Sequence, residues 1–512
     1  MMRMPCCVYA TGIIAALLLI SGIALMIADV FPHLIAMKLK GEFTLTEGSK
    51  VFDSWKNPPP PVFMEFFFYN VTNSEEFLAG QEKARVVEVG PYTYREYRPK
   101  ANVSFPEDGK VAAYTPKSFV FLPEKSVGDP DLDLITTVSV PAVAVMDKTK
   151  DSMFRAPMAN VWMKSTGSGL FTTRTVNELL WGYPDPLLAK AAAFQKGLAT
   201  TFGFMLDKNN TDDGEFVYYT GEADYMEYGR VHTWKGESKL SYWGSNYTNA
   251  IRGSDGSAFH PYLSKEERLH VFTPDLCRSI YMEFEQDVEV KGIPAYRFTP
   301  PRSVLASAAE NPDNEGFCME KVKEKCLGSG VLKVAVCKKD VPVVVSFPHF
   351  YLGDEKYHQD IDGVSPPVRE EHQTYVDLNP TTGILVRASK RAQFNIVLEK
   401  LNRFAITKNL NTTVFPMFFL NETVVIDDVS AARVTKLLTI AHVASNFYIL
   451  IIGLGGLLAI ILLVYIILAR RRTTTARDET TYSPVSAKIE DYSDNSKNGN
   501  YVGMTPVITE RS

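Results

Sequence analysis

Cysteine is scarce and unevenly placed in this chain. Six occur in 512 residues, and none belongs to a Cys-x-x-Cys pair. That argues against a zinc site, which would favour two such short pairs. Catalytic signatures are missing as well. There is no G-x-S-x-G elbow, no H-E-x-x-H, no Walker loop and no G-x-G-x-x-G after a strand. Without an assembled nucleophile and base, the chain reads as a non-enzyme with no cofactor. A basic excess is also absent: 54 Lys and Arg face 59 Asp and Glu, giving a net charge of −5 and a pI near 6.0. With no global positive field, nucleic acid is not an expected partner.

Charge is lacking altogether from two stretches, residues 8–28 and 447–469. A bilayer core needs about 20 apolar residues as helix, so both are long enough to span. Two crossings place both termini on one side and residues 29–446 on the other as one ectodomain. Arg470, Arg471 and Arg472 follow the second run at once, and Arg3 precedes the first. Basic flanks stay cytosolic, so residues 1–7 and 470–512 are expected inside the cell. The alternative for the first run is a cleaved signal peptide, whose apolar region is usually shorter.

The middle segment carries the marks of the secretory lumen. All six Asn-x-Ser/Thr sequons lie there, at Asn70, Asn102, Asn209, Asn246, Asn411 and Asn421. So do Cys277, Cys318, Cys326 and Cys337, as expected for disulfides. Four cysteines allow three pairings. Cys318 and Cys326 are close enough for a local loop, and Cys277 would then close a longer one with Cys337. Cys6 and Cys7, just before the first span, are palmitoylation candidates.

Strand patterns dominate the ectodomain. Residues 62–69 are aromatic and β-branched, and follow a proline run at 58–61. Segments 86–89 and 92–97 flank a Gly90-Pro91 turn. Segments 375–378 and 384–401 flank a turn at 379–383, and 341–347 is a buried-type run. Helical patterns are shorter, at 175–182 and 153–164. The second crowds Met153, Phe154, Met158, Val161, Trp162 and Met163 with little polar cover. It reads as a core helix or as an exposed apolar binding surface. His349, within Ser-Phe-Pro-His-Phe, reads as a satisfied core histidine rather than a ligand or base.

Ordered blocks across nearly the whole chain resemble the class B scavenger receptors. They include FDSW (52–55), VGPYTYRE (89–96), SVGDP (126–130), ELLWGY (178–183), CRSIY (277–281), KGIPAYRF (291–298), ENPDNEGFC (310–318), SFPHF (346–350) and FLNET (419–423). Overall the sequence is most similar to the branch of lysosome membrane protein two. The resemblance implies a mainly β protein with short helices. Its ectodomain would be a large antiparallel barrel-like body with an apical helical bundle and an internal hydrophobic tunnel, anchored by two transmembrane helices. The family pattern, like the spacing, gives Cys277–Cys337 and Cys318–Cys326. A third disulfide of the fatty acid translocase branch aligns with Thr248 and Gly316, so both partners are missing together.

The implied function is binding of anionic lipids, fatty acids or sterols, and lipoproteins at a basic apolar apex. The expected residues are Lys148, Lys150, Met153, Phe154, Arg155, Met158, Trp162 and Lys164. Residence at the plasma membrane, with endosomal or lysosomal residence besides, follows from the same likeness. The alternative is a trafficking receptor for a protein cargo. In the lysosomal branch an apical histidine suits acid-sensitive grip, whereas the aligned residue here is Ser152, which does not titrate near pH 6. The polar tail carries Tyr482 and Tyr501 in tyrosine-x-x-bulky contexts. These suit endocytic adaptors or, once phosphorylated, SH2 proteins. The ligand, the direction of lipid movement and any homo-oligomer are not written in the sequence.

Overall fold

The computed structural model describes residues 6–479 apart from 196, 339 and 340. Two apolar helices, Cys6–Ile27 and Phe447–Glu479, hold the two uncharged runs. They pack antiparallel through glycine. A Cβ on Gly22 would lie 2.6 Å from the Ile452 side chain, and one on Gly455 would lie 3.0 Å from Leu19. Between apolar helices lipid supplies little hydrophobic drive, so close backbone approach at small residues is what holds such a pair. The chain is a membrane protein with an apolar helix toward each end. These helices belong to one compact unit and Phe31–Ser445 forms another.

Phe31–Ser445 is mainly β. Its principal sheet runs, in spatial order, Leu269–Thr273, Arg278–Val290, Ile293–Thr299, Tyr375–Leu378, Leu385–Leu398, Thr413–Val425, Val62–Val71, Ala84–Tyr97 and Ile361–Asp362. All these pairings are antiparallel except the last. The sheet is open, because the strands at its two edges do not pair with each other. The expected barrel-like body is therefore an open sheet. A second, four-stranded sheet joins Val231–Trp234, Phe216–Tyr219, Lys110–Tyr114 and Ala101–Ser104.

Alternation decides which face is core. On Val62–Val71, Met64, Phe66 and Phe68 point inward and meet Tyr92, Tyr94 and Phe418. The Gly90-Pro91 pair does not form the expected turn. One strand, Ala84–Tyr97, runs straight through it, and the irregularity is absorbed by a register shift between Phe66 and Phe68. Gly90 has φ 155°, and a Cβ there would lie 2.7 Å from the Phe66 carbonyl oxygen. The 379–383 turn does form: buried Asn379 accepts from Thr382 N at 3.0 Å and joins Tyr375–Leu378 to Leu385–Leu398.

Register also builds a charged rung. Arg297, Asp377 and Arg387 sit directly opposite one another on three adjacent strands. Asp377 is fully buried and bonds Arg297 at 2.7 and 2.8 Å and Arg387 at 2.8 Å. The Arg297 guanidinium stacks on Tyr375, 4.0 Å from its ring centre.

Candidate functional site

The candidate surface stands on three short helices that pack on one another: Val140–Thr149, Arg155–Thr166 and Pro186–Phe194. Two have acceptor side chains at their starts. Ser139 accepts from Ala142 N, and Asp185 accepts from Leu188 N at 2.9 Å, which satisfies otherwise orphaned backbone donors. The Arg155–Thr166 helix buries Ala156, Ala159 and Met163, spaced as one helical face. Its start lies later than the sequence pattern suggests. Ser152 accepts from Arg155 N at 3.1 Å, and Met153 and Phe154 precede the helix in a turn.

Both residues of that turn are exposed. Met153 is 74% and Phe154 89% accessible, and Val161 and Phe194 are exposed on the Arg155–Thr166 and Pro186–Phe194 helices. Trp162 is half-buried and packs on Phe194, ring centres 4.7 Å apart, while Met158 is half-buried. Lys148 is exposed on the Val140–Thr149 helix, and Arg155 and Lys164 on the Arg155–Thr166 helix. Lys150 bonds Asp147 at 2.7 Å and Glu399 at 3.1 Å. Burial works against its charge, but these two carboxylates outweigh it and raise its pKa to about 12. Lys150 therefore ties the helix to residue 399, and its charge is already matched.

The six sequons divide by exposure. Asn102, Asn246 and Asn411 are exposed. Asn70, Asn209 and Asn421 are half-buried and hydrogen-bonded, with Asn421 Nδ2 donating to Glu65 at 2.7 Å. Cys277 is bonded to Cys337 and Cys318 to Cys326, while Cys6 and Cys7 are exposed free thiols in the first turn of their helix. Thr248 and Gly316 are neighbours: a Cβ on Gly316 would lie 2.6 Å from Thr248 Oγ1. Tyr482 and Tyr501 lie outside the described residues.

Among the described residues no group of three His, Cys, Asp or Glu side chains is arranged for a metal. One apolar void in the interior measures about 30 Å³ and is lined by Leu276, Ile280, Leu305, Leu332 and Phe347 among others. A space of that size holds about one water, not an acyl chain.

His349 is a hydrogen-bonded core residue, but it is not alone. Its Nε2 meets Glu88 at 2.8 Å, its Nδ1 meets Ser365 O at 2.8 Å, and its ring stacks on His372 with centres 4.0 Å apart. His358 Nε2 meets the His349 carbonyl at 2.5 Å. His372 Nδ1 accepts from Val368 N, so its other nitrogen carries the proton. Sequence reading missed this cluster, since only the fold unites residues 88, 349 and 372. Burial, then the charges of His349, Arg391 and His358, lowers the His372 pKa to about 3. The folded value lies below the unfolded one of about 6.5. This contribution is thus complete above pH 6.5 and is lost as pH falls from there toward 3. We expect His372 to cost about 2 kcal/mol of stability at pH 5. A His372→Gln protein should melt with less difference between pH 7.4 and 5 than the parent; an equal difference would refute the assignment.

Comparison with known proteins agrees with this architecture. A family model described as the CD36 family matches residues 13–466. The chain is 41% identical over 451 residues to lysosome membrane protein 2 of Homo sapiens, covering 88% of this chain and 93% of that protein. It is 31% identical over 454 residues to scavenger receptor class B member 1 of Cricetulus griseus, covering 88% and 87%. Two apolar helices, a β-rich body and a match across nine-tenths of the chain lead to one conclusion: the chain belongs to the CD36 family, whose members are membrane receptors and not enzymes.

Proposed function

We propose that the chain is a class B scavenger-type receptor that captures anionic lipids and lipoproteins on the three-helix surface. The carrying observation is the pair Met153 and Phe154, exposed beside Lys148, Arg155 and Lys164. An amphiphilic particle offers negative head groups and apolar bodies, and this surface answers both. Each exposed charge contact contributes under about 1 kcal/mol and weakens with salt. Each buried methylene adds about 0.8 kcal/mol. Both termini are cytosolic in this reading, the ectodomain faces outward or into the lumen, and the three helices form its apex. Lipid then passes inward through the body, and the void between Leu276 and Phe347 is the apolar place from which a passage would widen. The receptor works at the plasma membrane and along the endosomal route, with tail adaptors reading Tyr482 or Tyr501.

The decisive variant reverses Lys148, Arg155 and Lys164 to glutamate and leaves Lys150 in its ion pairs. We expect binding of modified low-density lipoprotein to fall about tenfold, the 1.4 kcal/mol that three weak contacts can supply, with normal surface delivery. Undiminished binding would refute the proposal. The second reading is a trafficking receptor for a protein cargo, favoured by the 41% identity to a protein named for the lysosomal membrane. Tight capture of a lysosomal hydrolase by this same surface would establish it instead.

A further inference from the structure

The body ends on the helix Asp428–Ser445, and Asn446 alone separates that helix from the second apolar helix, which begins at Phe447. Two peptide steps of about 3.8 Å keep Ser445 within about 8 Å of the span. One face of the helix is core. Ala431 and Val434 are buried with Val290 and Ile293 of the hairpin that joins Arg278–Val290 to Ile293–Thr299. Next to that contact lies a groove of about 650 Å³. It is walled by Lys291 in the hairpin turn and by Asp428, Thr435, Lys436, Thr439 and Ile440 of the helix, among others. These helix positions recur at helical spacing, so the groove follows one face of the helix toward the span.

The groove is charged at one end and apolar at the other. Lys291 donates to Asp428 at 2.6 Å, and these two charges match. Lys436 is exposed, and among the described residues no acidic side chain pairs with it. No acidic residue occurs between Asp428 and Phe447, so one positive charge is left over. Ile440 is 57% exposed, and about 8 Å of helix separates it from Ser445. Val443, about one turn nearer the span, is 58% exposed. The order away from the span is thus apolar side chains, then hydroxyls and a cation. A phospholipid that keeps its tail in the bilayer presents the matching order of acyl chain, ester and phosphate. A lysine ammonium meets a phosphate as a point charge, and basic residues beside a membrane are drawn to anionic lipid. A soluble anion would leave Ile440 and Val443 uncovered.

We propose that this groove holds a phospholipid of net negative charge from the bilayer that the adjoining helix crosses. Its phosphate meets Lys436 and Thr435, and its upper acyl chain lies along Ile440 and Val443. The lipid tethers the body to the membrane surface beside the span. The groove shares no residue with the three-helix surface and does not depend on the ligand of that surface. The test places the full-length protein in phosphatidylcholine nanodiscs with a trace of photoactivatable phosphatidylserine or, separately, photoactivatable phosphatidylcholine, and maps the labelled peptides. Phosphatidylserine is expected to label residues 428–443 about fivefold more than phosphatidylcholine does, the equivalent of about 1 kcal/mol for one basic residue at an anionic surface. Lys436→Gln should lower the phosphatidylserine labelling about fivefold, and Lys436→Glu should lower it further. Reversal of Lys148, Arg155 and Lys164 to glutamate should leave it unchanged. Equal labelling by the two lipids would overturn the proposal, as would undiminished labelling of both Lys436 variants or loss of the labelling in the three-helix variant.

Discussion

Asp377→Ala is expected to cost about 3–5 kcal/mol, the range for removing one partner of a buried charge set. The carboxylate is fully buried and is shared by Arg297 and Arg387 across a rung of three strands. Its loss leaves two guanidinium groups facing each other over Tyr375. Chemical denaturation of the full-length protein in detergent would measure this. The triple replacement Arg297→Met, Asp377→Leu and Arg387→Met is expected to recover most of the loss. Well-packed apolar groups of similar volume can replace a buried charge set at little cost. If Asp377→Ala unfolds like the parent, the rung contributes nothing and our account of it is wrong.

Cys277→Ser should be comparably damaging. The bridge to Cys337 spans 60 residues, and loop closure alone gives it about 4 kcal/mol. Cys318–Cys326 spans eight, for about 2.5 kcal/mol. Serine would also place a hydroxyl in a buried, largely apolar site, and it would strand the Cys337 thiol. The single variant should be held in the early secretory pathway, whereas Cys326→Ser should pass in larger amount. Adding Cys337→Ser to Cys277→Ser should not worsen the outcome, since the stranded thiol disappears. Normal surface delivery of Cys277→Ser would contradict this ranking.

Features with a local physical signature could be read from the sequence. The two spans rest on uncharged length. The 375–398 hairpin rests on a turn whose Asn379 and Gly383 do the work expected of them. The pairing of the four cysteines was readable from spacing and likeness together. Readings failed where a distant segment decides. Gly90-Pro91 has turn chemistry, yet a shift in the strand beside it absorbs the irregularity and the chain runs on. The helix near residue 153 starts late: Met153 and Phe154 lie in a turn before it, across which Arg155 N donates to Ser152 Oγ. Lys150 reads as one of four equivalent cations, and only the fold brings Glu399 to it. The histidine cluster and the Arg297–Asp377–Arg387 rung depend on register, which no single strand contains.

The second apolar helix does not stop where the apolar sequence does. It continues from Arg472 to Glu479, and at about 1.5 Å per residue those seven residues add roughly 10 Å. Three arginines at its waist would settle among phosphate head groups, and the helix would then stand off the membrane like a short mast. About two turns of helix thus separate the third arginine from the residues after Glu479.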